Sequence, residues 1–186
     1  MILSERKEGS FLTKSIPLTR MSFKIPRSDF PANTTVEMIA SYTHGTANRK
    51  KWDKGVKEYK IIEGDDFNGI LYAWMNSPIK LISERDLIEK KADFFIRGDF
   101  YSFSSSTEDS IYEEVDQVTR ILDYCSIFYI SVEDDYFIFK TLSQIDIKSN
   151  FAPMAKALLP RKLKMWYSDL KAGMNKDHEE TVNKQT

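Results

Sequence analysis

Every second side chain is apolar in Met21-Ser22-Phe23-Lys24-Ile25, and Phe11, Ile16 and Leu18 stand among polar neighbours, so residues 11–25 read as strand. Lys24-Ile25-Pro26 and Phe30-Pro31 break the extended run. Asn33 or Thr34 can then cap a short helix, with Glu37 behind the cap and Val36, Met38, Ile39 and Tyr42 on its apolar face, ending near His44-Gly45. After a polar turn, Thr46 to Lys51, strands return. Val56–Glu63 and Ile70–Ser77 flank the turn formers Gly64 to Gly69 and read as a hairpin. Residues 79–91 are extended around Arg85-Asp86, and Phe94–Ser105 is an aromatic strand region. Val118–Val132 and Tyr136–Ile147 form a second hairpin about Glu133-Asp134-Asp135.

The period then changes. Phe151, Met154, Ala155, Leu158, Leu159, Leu163, Trp166 and Leu170 recur at helical spacing and mark one apolar stripe on a helix of about 20 residues. Pro153 suits its first turn, Pro160 is expected to kink it, and Gly173 to stop it, leaving a polar, frayed end. This order predicts an α+β fold, an antiparallel sheet packed against a long C-terminal helix. In Ile70-Leu71-Tyr72-Ala73-Trp74-Met75 neither alternate set is polar. A sheet with one wet face would alternate, so this strand has two covered faces, either in a thick core or beside an apolar cavity.

Composition narrows the function. A length of 186 residues suits one domain with tails, and a net charge of −1 gives no general attraction to nucleic acid or anionic membrane. Only 7 glycines argue against a phosphate-cradling loop. A single cysteine, Cys125, in an apolar strand is expected to be buried and inert, and points to a reducing, intracellular compartment, the cytoplasm first and an organelle second. No apolar run approaches the ~20 residues of a membrane span, and the first residues lack a secretory apolar region. His44 and His178 are poor material for a catalytic triad, and no zinc spacing occurs, so neither enzyme, metal nor cofactor is expected.

Several segments arrive in a recognisable order. The short helix precedes Arg49-Lys50-Lys51-Trp52-Asp53; Ser77-Pro78 precedes Ser83-Glu84-Arg85-Asp86-Leu87; Val118-Thr119-Arg120 opens a late strand; and Thr141-Leu142-Ser143-Gln144-Ile145-Asp146-Ile147-Lys148 precedes Pro153 and the amphipathic helix. This set resembles the START (StAR-related lipid-transfer) domain over roughly residues 11–173, between tails at 1–10 and 174–186. The family's Gly after Asp-x-Lys is Ser149 here, its Pro comes one residue late, and Leu87 replaces an aromatic. The resemblance implies a helix-grip fold, a curved antiparallel sheet wrapped around the C-terminal helix, enclosing a lipid tunnel.

By position, the resemblance makes Tyr72, Trp74, Glu89, Lys91, Phe103, Arg120, Tyr124 and Phe128 candidates to line that cavity. The competing readings are a solvated strand end for Glu89 to Lys91 and a structural ion pair for Arg120. Met154, Leu158 and Leu163 would form a lid, and Phe94 and Phe95 an entrance loop touching a membrane transiently, unless they are core-facing strand residues. Sterol-binding relatives use a buried acid and base. Tyr72 stands at the acid position and Lys91 at the base, so the implied ligand is one phospholipid or similar lipid, not a sterol. The family's N-terminal helix has no counterpart before Phe11, which motivates a second expectation, a START-like structural or accessory subunit bound to protein partners.

Overall fold

The computed structural model describes residues 2–6, 16, 18–77, 83–107, 112–146, 148 and 152–184. Strands β1 (Ile2–Arg6) and β2 (Leu18–Pro26) lead through a 3-10 turn to helices α1 (Val36–His44) and α2 (Thr46–Trp52). Strands β3 (Val56–Gly64), β4 (Asn68–Met75), β5 (Arg85–Ile96), β6 (Asp99–Ser106), β7 (Thr119–Arg120), β8 (Tyr124–Glu133) and β9 (Tyr136–Ile145) follow, then helix α3 (Ala152–Asn183). The strands form one sheet in the order β1-β2-β9-β8-β6-β5-β4-β3, antiparallel apart from β7, which pairs with β5 in parallel. This is the expected helix-grip α+β architecture. Phe11, Pro78, Ile147 and Phe151 lie outside the described residues.

Register sorts the side chains. Met21, Phe23 and Ile25 of β2 pair with Thr141, Phe139 and Phe137 of β9, which pair with Phe128, Ile130 and Val132 of β8. All but the exposed Val132 belong to or border the inner face, where Met21, Phe23 and Phe128 are half-buried. One core cluster joins Ile25, Phe100, Ile130, Phe137 and Phe139 to Ile39 and Ala40 of α1, Trp52 of α2, and Leu170 and Met174 of α3. A second joins Tyr59, Leu71, Ala73, Leu87 and Ile121 at the far edge. Between them the inner face turns polar.

Several expectations are corrected. The cap of α1 is Thr35, which accepts from the Met38 backbone N–H at 3.3 Å. Thr46 to Lys51 is not a turn but most of α2, whose first residue is tied to Asp66 Oδ1 by both its N–H and its hydroxyl. Phe94–Ser105 is not one strand region. A two-residue turn, Arg97-Gly98, splits it into β5 and β6, both residues with positive φ (53° and 86°) as such hairpins require. Helix α3 does not stop at Gly173 but runs on to Asn183. A Cβ on Gly173 would stand 2.6 Å from Trp52 Cβ, so this glycine serves close helix packing, not termination. Pro160 lies within α3 and removes one intrahelical N–H.

Candidate functional site

A cavity of about 300 Å³ lies between the inner face of the sheet, the α1–α2 pair and α3. Its sides differ. Met21, Phe23, Phe128, Ile145, Leu163 and Trp166 form an apolar side from β2, the β8–β9 hairpin and α3. Opposite, Arg49 of α2 with Tyr59, Glu89 and Lys91 of β3 and β5 form a charged side. Across the floor, Ser143, Ser126 and Ser104 stand in register on β9, β8 and β6, beside Lys91 on β5. Strand alternation aims these serines inward, where the same period elsewhere places Phe100, Ile130 and Phe139.

The charged groups are mostly paired. Lys91 Nζ stands 3.2 Å from Asp93 Oδ2, both side chains essentially fully buried, and donates to the His44 carbonyl at 2.8 Å, tying the end of α1 to the sheet. Burial pushes the Asp93 carboxyl up to about 6, with Lys91 pulling the other way. The Arg49 Nε–H donates to Asp53 at 3.1 Å while its guanidinium lies 5.4 Å from the Tyr59 ring centre. Burial pulls this guanidinium down, but Asp53, Tyr59 and Glu89 outweigh it and leave it raised. The Tyr59 hydroxyl donates to Glu89 Oε1 at 2.8 Å. Burial, then Glu89, hold the Tyr59 phenol well above its ordinary value and push Tyr124 up to about 12. The His44 ring packs at a tilt against Phe100 and Phe128, with ring centres 4.9 and 4.7 Å away. Burial, then Lys91 and Arg49, keep it neutral, well below 6.5.

Of the candidate lining residues, the structure brings Glu89, Lys91, Tyr124 and Phe128 to this cavity. The solvated strand end considered for Glu89 and Lys91 does not hold, since both are buried, although Lys90 between them is exposed. Tyr72, Trp74, Phe103 and Arg120 lie on the opposite face of the sheet. Arg120 grips Asp86 through Nε and Nη2, each at 2.9 Å, and donates to the Tyr112 and Glu113 carbonyls. Tyr72 donates to the same Asp86 and stacks on Tyr112 at 4.9 Å. Arg120 is therefore the structural ion pair, closing the 112–120 segment over the sheet. Tyr72 faces away from the cavity and therefore has no bearing on whether a sterol fits there. Trp74 donates to Glu84 at 2.8 Å, and Phe103, 43% exposed, stacks on Phe94.

Of the lid residues, Leu163 lines the cavity, Leu158 is half-buried outside its lining, and Met154 sits in the first turn of α3, its side chain outside the described residues. Phe94 and Phe95 are not in a loop. Both belong to β5, Phe94 on the outer face and Phe95 against Phe100 on the inner. Cys125 is half-buried rather than buried, its thiol pushed up by desolvation. Arg49, His44, Tyr59 and the serines join the lining without being expected there. The serines had a legible signal, the spacing of Ser102, Ser104 and Ser106 at every second position of an aromatic strand.

This is the START-type helix-grip fold. It is similar to human StAR-related lipid transfer protein 5, with a TM-score of 0.75 at 17% identity over 95% of this chain and 88% of that one. It is also similar to human STARD10 (0.67, 16%, covering 97% and 77%). A STAR-related lipid transfer protein from Xanthomonas axonopodis matches at 0.65 with 10% identity, covering 93% and 98%. No family model and no curated protein matches the sequence.

Proposed function

We propose that the chain is a lipid-binding module that encloses one lipid between sheet and α3, its tail against Met21, Phe23, Leu163 and Trp166 and its polar end toward Glu89 and the serine floor. The observation that carries this reading is the two-sided cavity itself, apolar on one wall with a few convergent polar groups on the other, the usual make-up of an amphiphile site. The lipid-transfer names of its structural neighbours support it. The role is binding and release without covalent chemistry. His44 is half-buried and neutral, and its Nδ1 lies 2.8 Å from the Thr43 hydroxyl, which suits packing better than proton transfer. Organic extraction and native mass spectrometry of the purified protein are expected to find one lipid per chain. No lipid after purification, and none taken up from mixed vesicles, would overturn the reading.

A second reading, an accessory subunit in an assembly, has its own observation. On the outer face Phe94 and Phe103 are 38% and 43% exposed and stack on each other, with Tyr101 and Tyr129 continuing the patch. Sedimentation of the purified chain tests it, and a monodisperse monomer at every concentration counts against it.

A further inference from the structure

We infer that Glu89 selects the ligand's polar end, and that the cavity admits an uncharged, hydroxyl-bearing amphiphile in preference to a phosphate or carboxylate. The inference rests on the lipid-binding reading above and deepens it.

The cations at the cavity are already engaged. Arg49 gives its Nε–H to Asp53 and feels Glu89 as well, and Lys91 is paired with Asp93 and donates to the His44 carbonyl, so two cations stand among three carboxylates. Glu89 is only 7% exposed yet receives a single hydrogen bond among the described residues, from Tyr59 to Oε1. A carboxylate can accept several, and Glu89 lines the cavity, so accepting capacity beyond the Tyr59 bond is open to a ligand. An anionic head would set a second negative charge beside Glu89 in a site withdrawn from water, where like charges repel strongly. A hydroxyl meets no such penalty, because it donates to Glu89 and exchanges hydrogen bonds with neighbouring hydroxyls.

Those neighbours are present. Ser106 lies opposite Glu89 on β6, and Ser104, Ser126 and Ser143 continue across three strands at the ~4.8 Å strand spacing. Ser104 and Tyr124 hydroxyls already share a 3.0 Å hydrogen bond, so this surface both gives and takes protons without carrying charge.

Calorimetric titration with 1-monolauroylglycerol, lauric acid and lauroyl lysophosphatidic acid, which share one acyl chain, tests this. The monoacylglycerol is expected to bind about tenfold or more tightly than either anion, the range of a hydrogen bond to a buried charge. Glu89→Gln is expected to shrink that preference about tenfold, mainly by admitting the anions. Anions binding as tightly as the glyceride, or a preference untouched by Glu89→Gln, would overturn the inference while leaving lipid binding intact. Should the variant not fold, the wild-type ranking alone decides. Failure of all three amphiphiles, with no lipid in extracts, would instead remove the lipid-binding reading.

Discussion

Asp93 and His44 lie within one buried cluster and respond to acid in opposite senses. The Asp93 carboxyl has a native pKa of about 6, above its ordinary 3.8, because burial disfavours its charge. The folded protein therefore takes up this proton first, and stability from the group grows as pH falls from about 6 toward 4, and is lost as pH rises through 6. His44 has the reverse sign: its native pKa is depressed, so its neutral burial costs stability as pH falls below 6.5. An Asp93→Asn variant retains the histidine effect and loses the carboxyl's. Denaturant unfolding at a series of pH values is expected to show the wild type gaining on the variant by on the order of 2 kcal/mol between pH 7 and 4.5. A difference independent of pH would refute the assignment. Such groups were only partly legible. Glu89 and Lys91 are legible in the sequence as cavity candidates, but Tyr72 and Trp74 look the same as they do because both faces of β4 are apolar. Which face a residue takes is set by register, and a shift of one residue exchanges the faces.

At the scale of elements, two contacts hold the covers of the sheet in place. Arg120 meets Asp86, which is 1% exposed, with two parallel hydrogen bonds and carries the Tyr112 and Glu113 carbonyls with it. Arg120→Ala strands a buried carboxylate and is expected to cost about 3–5 kcal/mol in denaturant unfolding, with faster proteolysis of the 112–120 segment. Arg120→Lys should rescue little, since an ammonium cannot reproduce the two-pronged grip. On the inner side, Gly173 lets α3 approach Trp52. Alanine at a helical glycine gains about 1 kcal/mol of propensity. Here its Cβ would stand 2.6 Å from Trp52 Cβ and 3.1 Å from Cγ, atoms near the backbone with little freedom to yield. Overpacking costs about 1–3 kcal/mol, so Gly173→Ala should lower the melting temperature despite its better helix former. A rise would show that the helix slides freely. The same contact explains why the end of α3 was misread: glycine looks alike in sequence whether it stops a helix or admits a neighbour. Helix α2 was missed for another reason. Thr46–Trp52 is mostly polar and is held by Asp66 and by Trp52 packing, which leave no apolar period to read. The hairpins flanked by long runs, and the period change into α3, were legible because one face of each is buried along its length.

For the molecule as a whole, the sheet carries two different surfaces back to back. Its inner face holds the cavity, and its outer face holds the exposed ladder Phe103–Phe94–Tyr101–Tyr129, with Lys140 5.2 Å above the last ring. The strands separate the two, since Phe94 and Asp93 are sequence neighbours that point to opposite sides. A protein that only carried a lipid would have no need of the outer patch, and one that only assembled would have no need of a charged, hydroxyl-floored cavity. The double substitution Phe94→Ser with Phe103→Ser separates the roles. More than half of each ring is covered and the two stack on each other, so unfolding free energy should fall by about 1–3 kcal/mol, leaving the chain folded. Lipid content measured by extraction should stay at the wild-type level, because neither ring lines the cavity. If the patch is an interface, sedimentation should show the variant losing any self-association that the wild-type chain has. A variant that lost its lipid instead would mean that the outer strands move with the cavity, and that the two faces act as one device.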